Sequence, residues 1–295
     1  MNINKNKAFS LIELSIVILI IGILVAGVTQ SSRLVGMMKL AAARNITVTS
    51  PVPTISNLIA WYEPVLEGSF LEDEAEDNAQ ISMWKDTKLS VEKNNLVKNK
   101  NAGTVYRRYG INNLPSIYFS GSGGGLFLSP SNSIAQTTYF DTPNQRMTIF
   151  LVYNIKQITG SSIIFVNGST STAGISYFLN GALPLKRVFL FGGIDIYYST
   201  NNYQNNISEI ASIMYNGRGL QFENYLNGQS MPIPGVSTPN LHNAGSKFVI
   251  GANNGDGEQF NGLISEVIIY DRILKKDERQ DIEKYLGKKW GIAVQ

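Results

Sequence analysis

The sequence predicts a long N-terminal α-helix followed by an all-β jelly-roll sandwich that ends in a C-terminal helix. Three observations support this fold class. A long apolar run follows a short basic start, many short β-rich segments between Gly, Asn and Ser come next, and the chain closes with helical periodicity. Short strands at regular intervals, separated by turn residues, are typical of sandwiches and jelly rolls.

The first helix is predicted at residues 9–46. No charged residue lies between Leu14 and Val28, and about 20 apolar residues suffice to cross a hydrocarbon core of about 30 Å. Pro51 and Pro53 then predict an extended linker at residues 47–56, because the residue before a proline disfavours helix.

The globular domain is predicted at residues 57–295. Its strands are the segments LIAWY, SIYF, TIFLVYNI, SIIFVNG, ISYFLNG, RVFLFGG, SEIASIMYNG, FENYLNG and KFVIGA. Residues 129–146 and 199–208 match no clear pattern and are predicted loops. Asp277 and Gln280 have the spacing of a capping box, which predicts the start of the last helix. Its apolar face is expected to pack on the sandwich and consists of Ile282, Tyr285, Leu286 and Trp290.

The composition limits the classes of function. The chain has 295 residues, no cysteine and a net charge of +3. A charge this small does not indicate nucleic-acid binding. Without cysteine the chain has neither a disulfide framework nor thiol catalysis, so the domain depends on the size of its core.

Glu13 is unexpected beside an apolar run, because a carboxylate costs about 2.5–3.5 kcal/mol at a bilayer centre. A signal peptide would end after the run, and a plain membrane anchor leaves Glu13 unexplained. Cleavage between Ala8 and Phe9 would instead remove the basic leader, residues 1–8, and place a free amine on Phe9 a turn from Glu13. Two buried charges are tolerable when they pair.

The leader MNINKNKA, Phe9, the segment Leu11-Ile12-Glu13-Leu14 and the apolar run together resemble type IV prepilins and pseudopilins. The resemblance implies cleavage after Ala8 by a prepilin peptidase and N-methylation of Phe9. It also implies assembly with other pilin subunits through the N-terminal helix, with Glu13 neutralising a neighbour's Phe9 amine. The precursor would cross the inner membrane once, before it reaches a surface pilus or a periplasmic pseudopilus. Ala8 replaces the usual glycine before the cut and is small enough to fit. Gln30 lies where many pilins have a helix-kinking proline, so pilin and pseudopilin both remain open.

The segments LIAWYE, SMWKDTK, GINNLPSIYFSGSGGGLFL and the last strands with the closing helix resemble concanavalin A-like, laminin-G-like domains. The resemblance implies two antiparallel sheets, one of them curved. Ser265 stands where relatives often have Asp or Ala before a glutamate. It therefore offers no carboxylate to a metal, which weakens any prediction of calcium.

The other candidate sites have simpler alternatives. Asp256 and Glu258 suit calcium, but their Asn- and Gly-rich segment also suits a hairpin turn, so no cofactor is predicted and calcium is kept only as an alternative. The acidic segment Leu71–Asp77 is expected to be a solvated loop, with a cation loop or a glycosidase acid pair as alternatives. His242 is expected in a loop. Tyrosines could stack on a glycan or fill the core, and they are Tyr177, Tyr197, Tyr198, Tyr203, Tyr215 and Tyr225.

These observations favour a pilin-like filament subunit, minor or located at the tip, whose lectin-like domain binds a glycan or surface protein. Two alternatives remain open: a pseudopilin of a type II-like secretion system, and a membrane-tethered enzyme that acts on glycans. No catalytic residue is assigned, and the favoured interpretation is not an enzyme.

Overall fold

The computed structural model describes residues 11–90, 94–98, 103–128, 146–158, 160–169, 173–181, 186–191, 195–216, 221–231, 248–253 and 257–295. The chain divides into two compact units, Met1–Ala42 and Ala43–Gln295. Each unit is described by itself below.

The first unit consists of most of helix α1, which spans Leu11–Val48. Its large apolar side chains from Leu11 to Val28, within the predicted membrane-crossing run, are exposed. The hydroxyls of Ser15 and Ser31 donate hydrogen bonds to carbonyls one turn earlier, so these polar groups are satisfied within the helix. Among the described residues, this is the one helix long and apolar enough to cross a membrane.

The second unit begins with the last turns of α1, where Ala43 and Thr47 are buried. A 3-10 turn follows at Val52–Thr54, where the sequence predicted an extended linker. Pro51 favours this turn because its ring fixes φ near the helical value, here −72°. The buried Tyr270 hydroxyl donates a 2.8 Å hydrogen bond to the Val52 carbonyl, which anchors the turn to the domain.

Sixteen strands are described. They are β1 (Leu58–Tyr62), β2 (Met83–Trp84), β3 (Leu96–Lys98), β4 (Thr104–Arg107), β5 (Ser116–Ser120), β6 (Leu126–Leu128), β7 (Arg146–Ile155), β8 (Ser161–Ser169), β9 (Ala173–Asn180), β10 (Lys186–Phe191), β11 (Asp195–Asn202), β12 (Ser208–Asn216), β13 (Gln221–Leu226), β14 (Gln229–Ser230), β15 (Phe248–Ile250) and β16 (Asn261–Tyr270).

The strands form two antiparallel sheets, as the sequence predicted. The first sheet has the order β14-β13-β12-β7-β16-β5-β4, with β1 also paired to β16, and the second has the order β11-β10-β9-β8-β15-β6-β3-β2. β5 pairs with Asn261–Ile264 and β1 with Val267–Tyr270, so the two strands share one edge of β16. A bulge between Ile264 and Glu266 interrupts the pairing with β7 on the other edge.

The core lies between the inner faces of the two sheets, and alternate residues of the long strands supply it. Its larger members include Leu151, Tyr153, Phe165, Tyr177, Phe189, Tyr215 and Phe248. The rings of Tyr177 and Phe189 stack with their centroids 4.7 Å apart. Aromatic stacking of this kind adds to the stabilisation from buried apolar area.

The second helix, α2, spans Lys276–Trp290. Its N-cap is Lys275, and the Glu278 carboxylate accepts the Lys275 N–H at 2.8 Å. The predicted capping pair, Asp277 and Gln280, is therefore wrong by two residues, because Glu278 rather than Gln280 reaches back to the cap. The predicted apolar face is confirmed, since Ile282, Tyr285, Leu286 and Trp290 are all buried.

The predicted loops are only partly loops. Arg146 begins β7, and residues 199–202 belong to β11. The latter segment becomes strand because it pairs with β10, in a register that places Asn202 opposite Lys186. Residues 129–145 lie outside the described residues.

Candidate functional site

Glu13 lies in the first turn of α1 and is exposed. Its neighbours are exposed apolar side chains, with Leu11 at 83% and Leu14 at 55%. A carboxylate in the first turn of a helix is favoured by the helix dipole. A continuous apolar surface of this kind needs lipid or protein around it. Ala8 and Phe9, the predicted processing residues, lie outside the described residues.

The acidic segment is not uniformly solvated. Glu72–Glu74 form a 3-10 turn, and Glu74 is buried. The Glu74 carboxylate accepts the N–H of Ser82 at 2.8 Å, and Asp77 accepts the N–H of Arg108 at 2.9 Å. The predicted solvated loop is therefore wrong for Glu74, which stabilises the local backbone. No group of three or more His, Cys, Asp or Glu side chains in the described ranges could hold a metal ion.

The second cation candidate has the geometry of a turn. Glu258 is exposed, with φ of +49°, and its carboxylate accepts the Asn253 side-chain amide at 3.3 Å. The side-chain oxygen of Asn253 accepts the Gly257 N–H at 2.7 Å. Asp256 lies outside the described residues, so the calcium prediction stays untested at that position. His242, which is predicted in a loop, also lies outside them.

Three of the six candidate glycan-stacking tyrosines are core residues. Tyr177, Tyr203 and Tyr215 are buried, so the stacking hypothesis is wrong for these three. Tyr225 is half-buried beneath the guanidinium of Arg279, which lies 3.6 Å from the ring centroid. The side chains of Tyr197 and Tyr198 lie outside the described ones.

A polar cluster joins the two sheets inside the sandwich. The Tyr153 hydroxyl donates a 2.8 Å hydrogen bond to Glu209 and lies 2.8 Å from the Tyr177 hydroxyl, and Arg187 forms an ion pair with Glu209. Burial and the nearby Glu209 carboxylate raise the pKa of Tyr153 well above its usual value. All four side chains are buried, so this cluster stabilises the sandwich and is closed to a substrate.

The Trp-x-Asp segment also has a structural role. Trp84 is fully buried, and the two carboxylate oxygens of Asp86 accept the N–H groups of Trp61 and Asn94, each at 3.0 Å. Ser265 lies at the β16 bulge, with its hydroxyl 2.7 Å from that of Ser116. The Asp86 contacts connect β1 to the segment that follows β2, and the contact between Ser116 and Ser265 connects β5 to β16.

A second polar cluster lies beneath α2. The Lys289 ammonium donates hydrogen bonds to Glu63 at 2.8 Å and to Glu266 at 2.9 Å, and the three side chains have no solvent exposure. Glu266 accepts four hydrogen bonds at 2.7–2.9 Å. Their donors are the side chains of Trp61, Tyr285, Lys289 and Trp290.

Each carboxylate of this cluster is saturated with donors, which is the condition for burying charge at tolerable cost. Glu63 also accepts the backbone N–H groups of Val65 and Leu66. Burial, followed by the charge of Glu266, raises the pKa of Tyr285 well above its usual value, so its hydroxyl keeps its proton and donates. Sequence reasoning did not identify Glu63, Glu266 and Lys289 as members of one cluster.

Comparisons with known proteins match the two parts of the chain separately. The prokaryotic N-terminal methylation motif matches residues 3–29. The concanavalin A-like lectin/glucanases superfamily matches residues 120–278, more than half of the chain. The chain belongs to the concanavalin A-like lectin/glucanases superfamily. Its superfamily domain follows a type IV pilin-like N-terminus, the fusion that the sequence predicted.

Solved structures share the sandwich at low sequence identity. Trypanosoma rangeli sialidase in complex with sialic acid has a TM-score of 0.54 and 16% identity, over 83% of this chain and 35% of that chain. The same enzyme with the inhibitor DANA has a TM-score of 0.53 and 14% identity, over 79% and 33%. This chain therefore spans about a third of the sialidase chains.

Domain 4 of AbnA, a GH43 extracellular arabinanase from Geobacillus stearothermophilus, in complex with arabinotriose, matches with a TM-score of 0.50 and 16% identity. The match covers 77% of this chain and 98% of that domain. At these identities the likeness establishes the fold alone. The search of curated protein sequences found no match.

Proposed function

We propose that the protein is a minor or tip-located subunit of a type IV pilus-like filament, and that its lectin-like domain binds a glycan or protein on another surface. The observation that carries the proposal is the methylation motif on an exposed apolar helix, fused to a sandwich of the concanavalin A-like superfamily. The helix supplies the assembly surface and the sandwich supplies the recognition surface. A bulky domain on every subunit would crowd a helix-packed filament, which favours a minor position.

Prepilin peptidase would cut between Ala8 and Phe9, and the Phe9 amine would be methylated. In the filament, Glu13 would pair with the Phe9 amine of a neighbouring subunit. An ion pair buried among apolar helices is tolerated, whereas a lone charge is strongly disfavoured. The same pairing would give each subunit its register.

Carbohydrate is the ligand class that the structural neighbours support. Two of these neighbours are complexes with sialic acid and with arabinotriose. Weak affinity, with Kd of about a micromolar to a millimolar, corresponds to about 4–8 kcal/mol. Several linked subunits would raise the avidity by about 10²–10⁴.

We propose binding without hydrolysis. The buried Glu74 and the exposed Asp77 of the acidic segment accept hydrogen bonds from backbone N–H groups, which is a structural role. A glycan array should detect binding, and a reducing-sugar assay should detect no release. Hydrolysis that disappears in Glu72→Gln or Glu74→Gln would replace this proposal with the tethered enzyme.

The filament proposal is tested by measuring the processing of the protein and its location on the cell. Intact mass of the protein from its own cells should show loss of residues 1–8 and a methyl group on Phe9. Immunogold labelling should then mark filaments, mainly at their tips. A mature chain that begins at Met1 would contradict the proposal, and loss of protein secretion on deletion, without labelled filaments, would favour the pseudopilin.

A further inference from the structure

We propose that Lys289 and Glu63 become joined by an amide bond that the folded domain forms by itself. The chain has no cysteine, so no disulfide can staple this exported domain. Glu63 directly follows β1 and Lys289 lies in the last turn of α2, 226 positions later. An amide between them would close almost the whole second unit into a covalent ring.

The nucleophile and its target are already in contact. Lys289 Nζ lies 2.8 Å from Glu63 Oε2, and neither side chain is exposed. The carbon to be attacked is one covalent bond beyond that oxygen. Reacting groups held together in this way reach effective molarities of about 10⁵–10⁸ M. Exclusion of water also protects the product from hydrolysis.

Glu266 is placed to carry protons. Its Oε2 lies 2.9 Å from Lys289 Nζ, within the range of about 2.6–3.2 Å that general acid–base catalysis requires. The Trp61 indole and the Tyr285 hydroxyl donate to the other oxygen of Glu266, which fixes its orientation. Glu266 can therefore take a proton from the Lys289 amine while that amine stays in contact with Glu63.

Glu63 has donors where negative charge would develop. Its Oε1 accepts the Leu66 N–H at 2.6 Å and lies 3.4 Å from the Ser69 hydroxyl. Donors already aimed at the oxygen of a tetrahedral intermediate are a principal source of catalysis in acyl transfer. Oε2, the oxygen facing Lys289, also accepts the Val65 N–H at 3.2 Å and is the oxygen that leaves as water.

The reaction needs no co-reactant. The Lys289 ammonium gives one proton to Glu266, which passes it to Glu63 Oε2. The neutral amine forms the C–N bond and gives its second proton to Glu266, while Oε1 carries the negative charge. Glu266 returns that proton to Oε2, the C–O bond breaks, and one water molecule leaves. Glu266 ends as a carboxylate and the new amide N–H replaces the ammonium as its donor.

The test is the intact mass of the full chain, extracted in detergent and measured after denaturation. We expect a mass below that of the processed sequence by one water molecule, and a branched tryptic peptide that joins the segments containing residues 63 and 289. Lys284→Arg, on the exposed face of the same helix, should keep the loss. Lys289→Arg should abolish it, because a guanidinium does not condense.

Glu266→Gln separates the proposed chemistry from mere proximity, because glutamine keeps the shape but cannot accept the proton. We expect this variant to show the full mass. A wild-type chain of full mass, or a water loss mapped to other residues, would overturn the proposal. The wild-type measurement alone decides whether the bond forms, and it does not depend on whether the variants fold.

Discussion

Lys289 in the last turn of α2 donates a 2.8 Å hydrogen bond to Glu63, which directly follows β1. The same ammonium reaches Glu266 of β16 at 2.9 Å. One side chain therefore connects the first strand, the last strand and the last helix of the second unit. Loss of that side chain should therefore destabilise all three elements together.

Lys289→Met should lower the free energy of unfolding by at least about 3–5 kcal/mol, because it leaves two buried carboxylates without their cation and removes the proposed amide bond. Lys284→Met is the matched control on the same helix, since the Lys284 side chain is 70% exposed. Its effect should stay within about 0.5 kcal/mol. Urea denaturation of both full-length variants in detergent measures the difference. Equal stabilities would show that the cluster contributes little.

The pair of Arg272 and Glu278 should give stability a defined pH dependence. The hydrogen bonds from Arg272 lower the pKa of Glu278 from 4.5 to about 2. A lowered folded-state pKa contributes stability that is complete above the unfolded pKa and is lost as the pH falls through the folded one. The contribution should therefore be present at neutral pH and decline between about pH 4.5 and pH 2.

Arg272→Met tests this dependence. Both side chains are 22% exposed, so we expect a loss of about 1–2 kcal/mol at pH 7 after allowance for solvent screening. The difference from wild type should shrink as the pH approaches 2 in a denaturation series. Asp281→Asn, in an exposed pair with Lys284, is the control and should show little change. A wild-type advantage that persists undiminished at pH 2 would contradict the assignment.

Gly251 should tolerate a side chain far less well than Gly160. Both have left-handed φ, of +83° and +79°, which costs a non-glycine residue about 1–2 kcal/mol. A Cβ on Gly251 would lie 2.2 Å from the Phe119 ring, whereas no described atom lies within 4 Å of one on Gly160. Gly251→Ala should therefore cost about 1–3 kcal/mol more than Gly160→Ala, because the core must shift. Thermal denaturation of the two variants checks this ranking. Equal melting temperatures would contradict it.

Glu13→Val should insert into the membrane at least as well as wild type, because it removes a charge that is costly in lipid. Incorporation into filaments should fall sharply, because the neighbouring Phe9 amine loses its partner. Quantitative blotting of sheared filaments against total membrane protein measures this. Ser15→Ala is the control, since its hydroxyl bonds only within its own helix in the described contacts. Normal incorporation of Glu13→Val would refute the pairing.

Much of the fold could be predicted because short local patterns in the sequence indicate its elements. The apolar run of α1, the short β-rich segments and the apolar face of α2 each appear within a few consecutive residues. The cluster of Glu63, Glu266 and Lys289 could not be found in this way. Its members are far apart in sequence, and each resembles a surface charge until the sheets bring them together.

The tyrosines illustrate the same difficulty on a smaller scale. Tyr177 and Tyr215 fit a ligand-binding face or a core equally well from sequence, because strand alternation does not say which face is covered. Tyr177 lies on β9 of the second sheet, and the first sheet covers the face that carries it. Burial of Glu74 was missed because its partner, the Ser82 backbone, has no signature in sequence.

The position of β16 determines when the domain can become folded. This strand is the last in the chain, yet it lies inside the first sheet between β7 on one edge and β5 and β1 on the other. The earlier strands β1, β5 and β7 cannot complete their pairing before β16 is present, and such long-range pairing is intrinsically slow. In the proposed export the β1 end of the domain crosses the membrane first, so this sheet cannot be completed until residues 261–270 have crossed. Its unpaired strand edges need protection from aggregation until then.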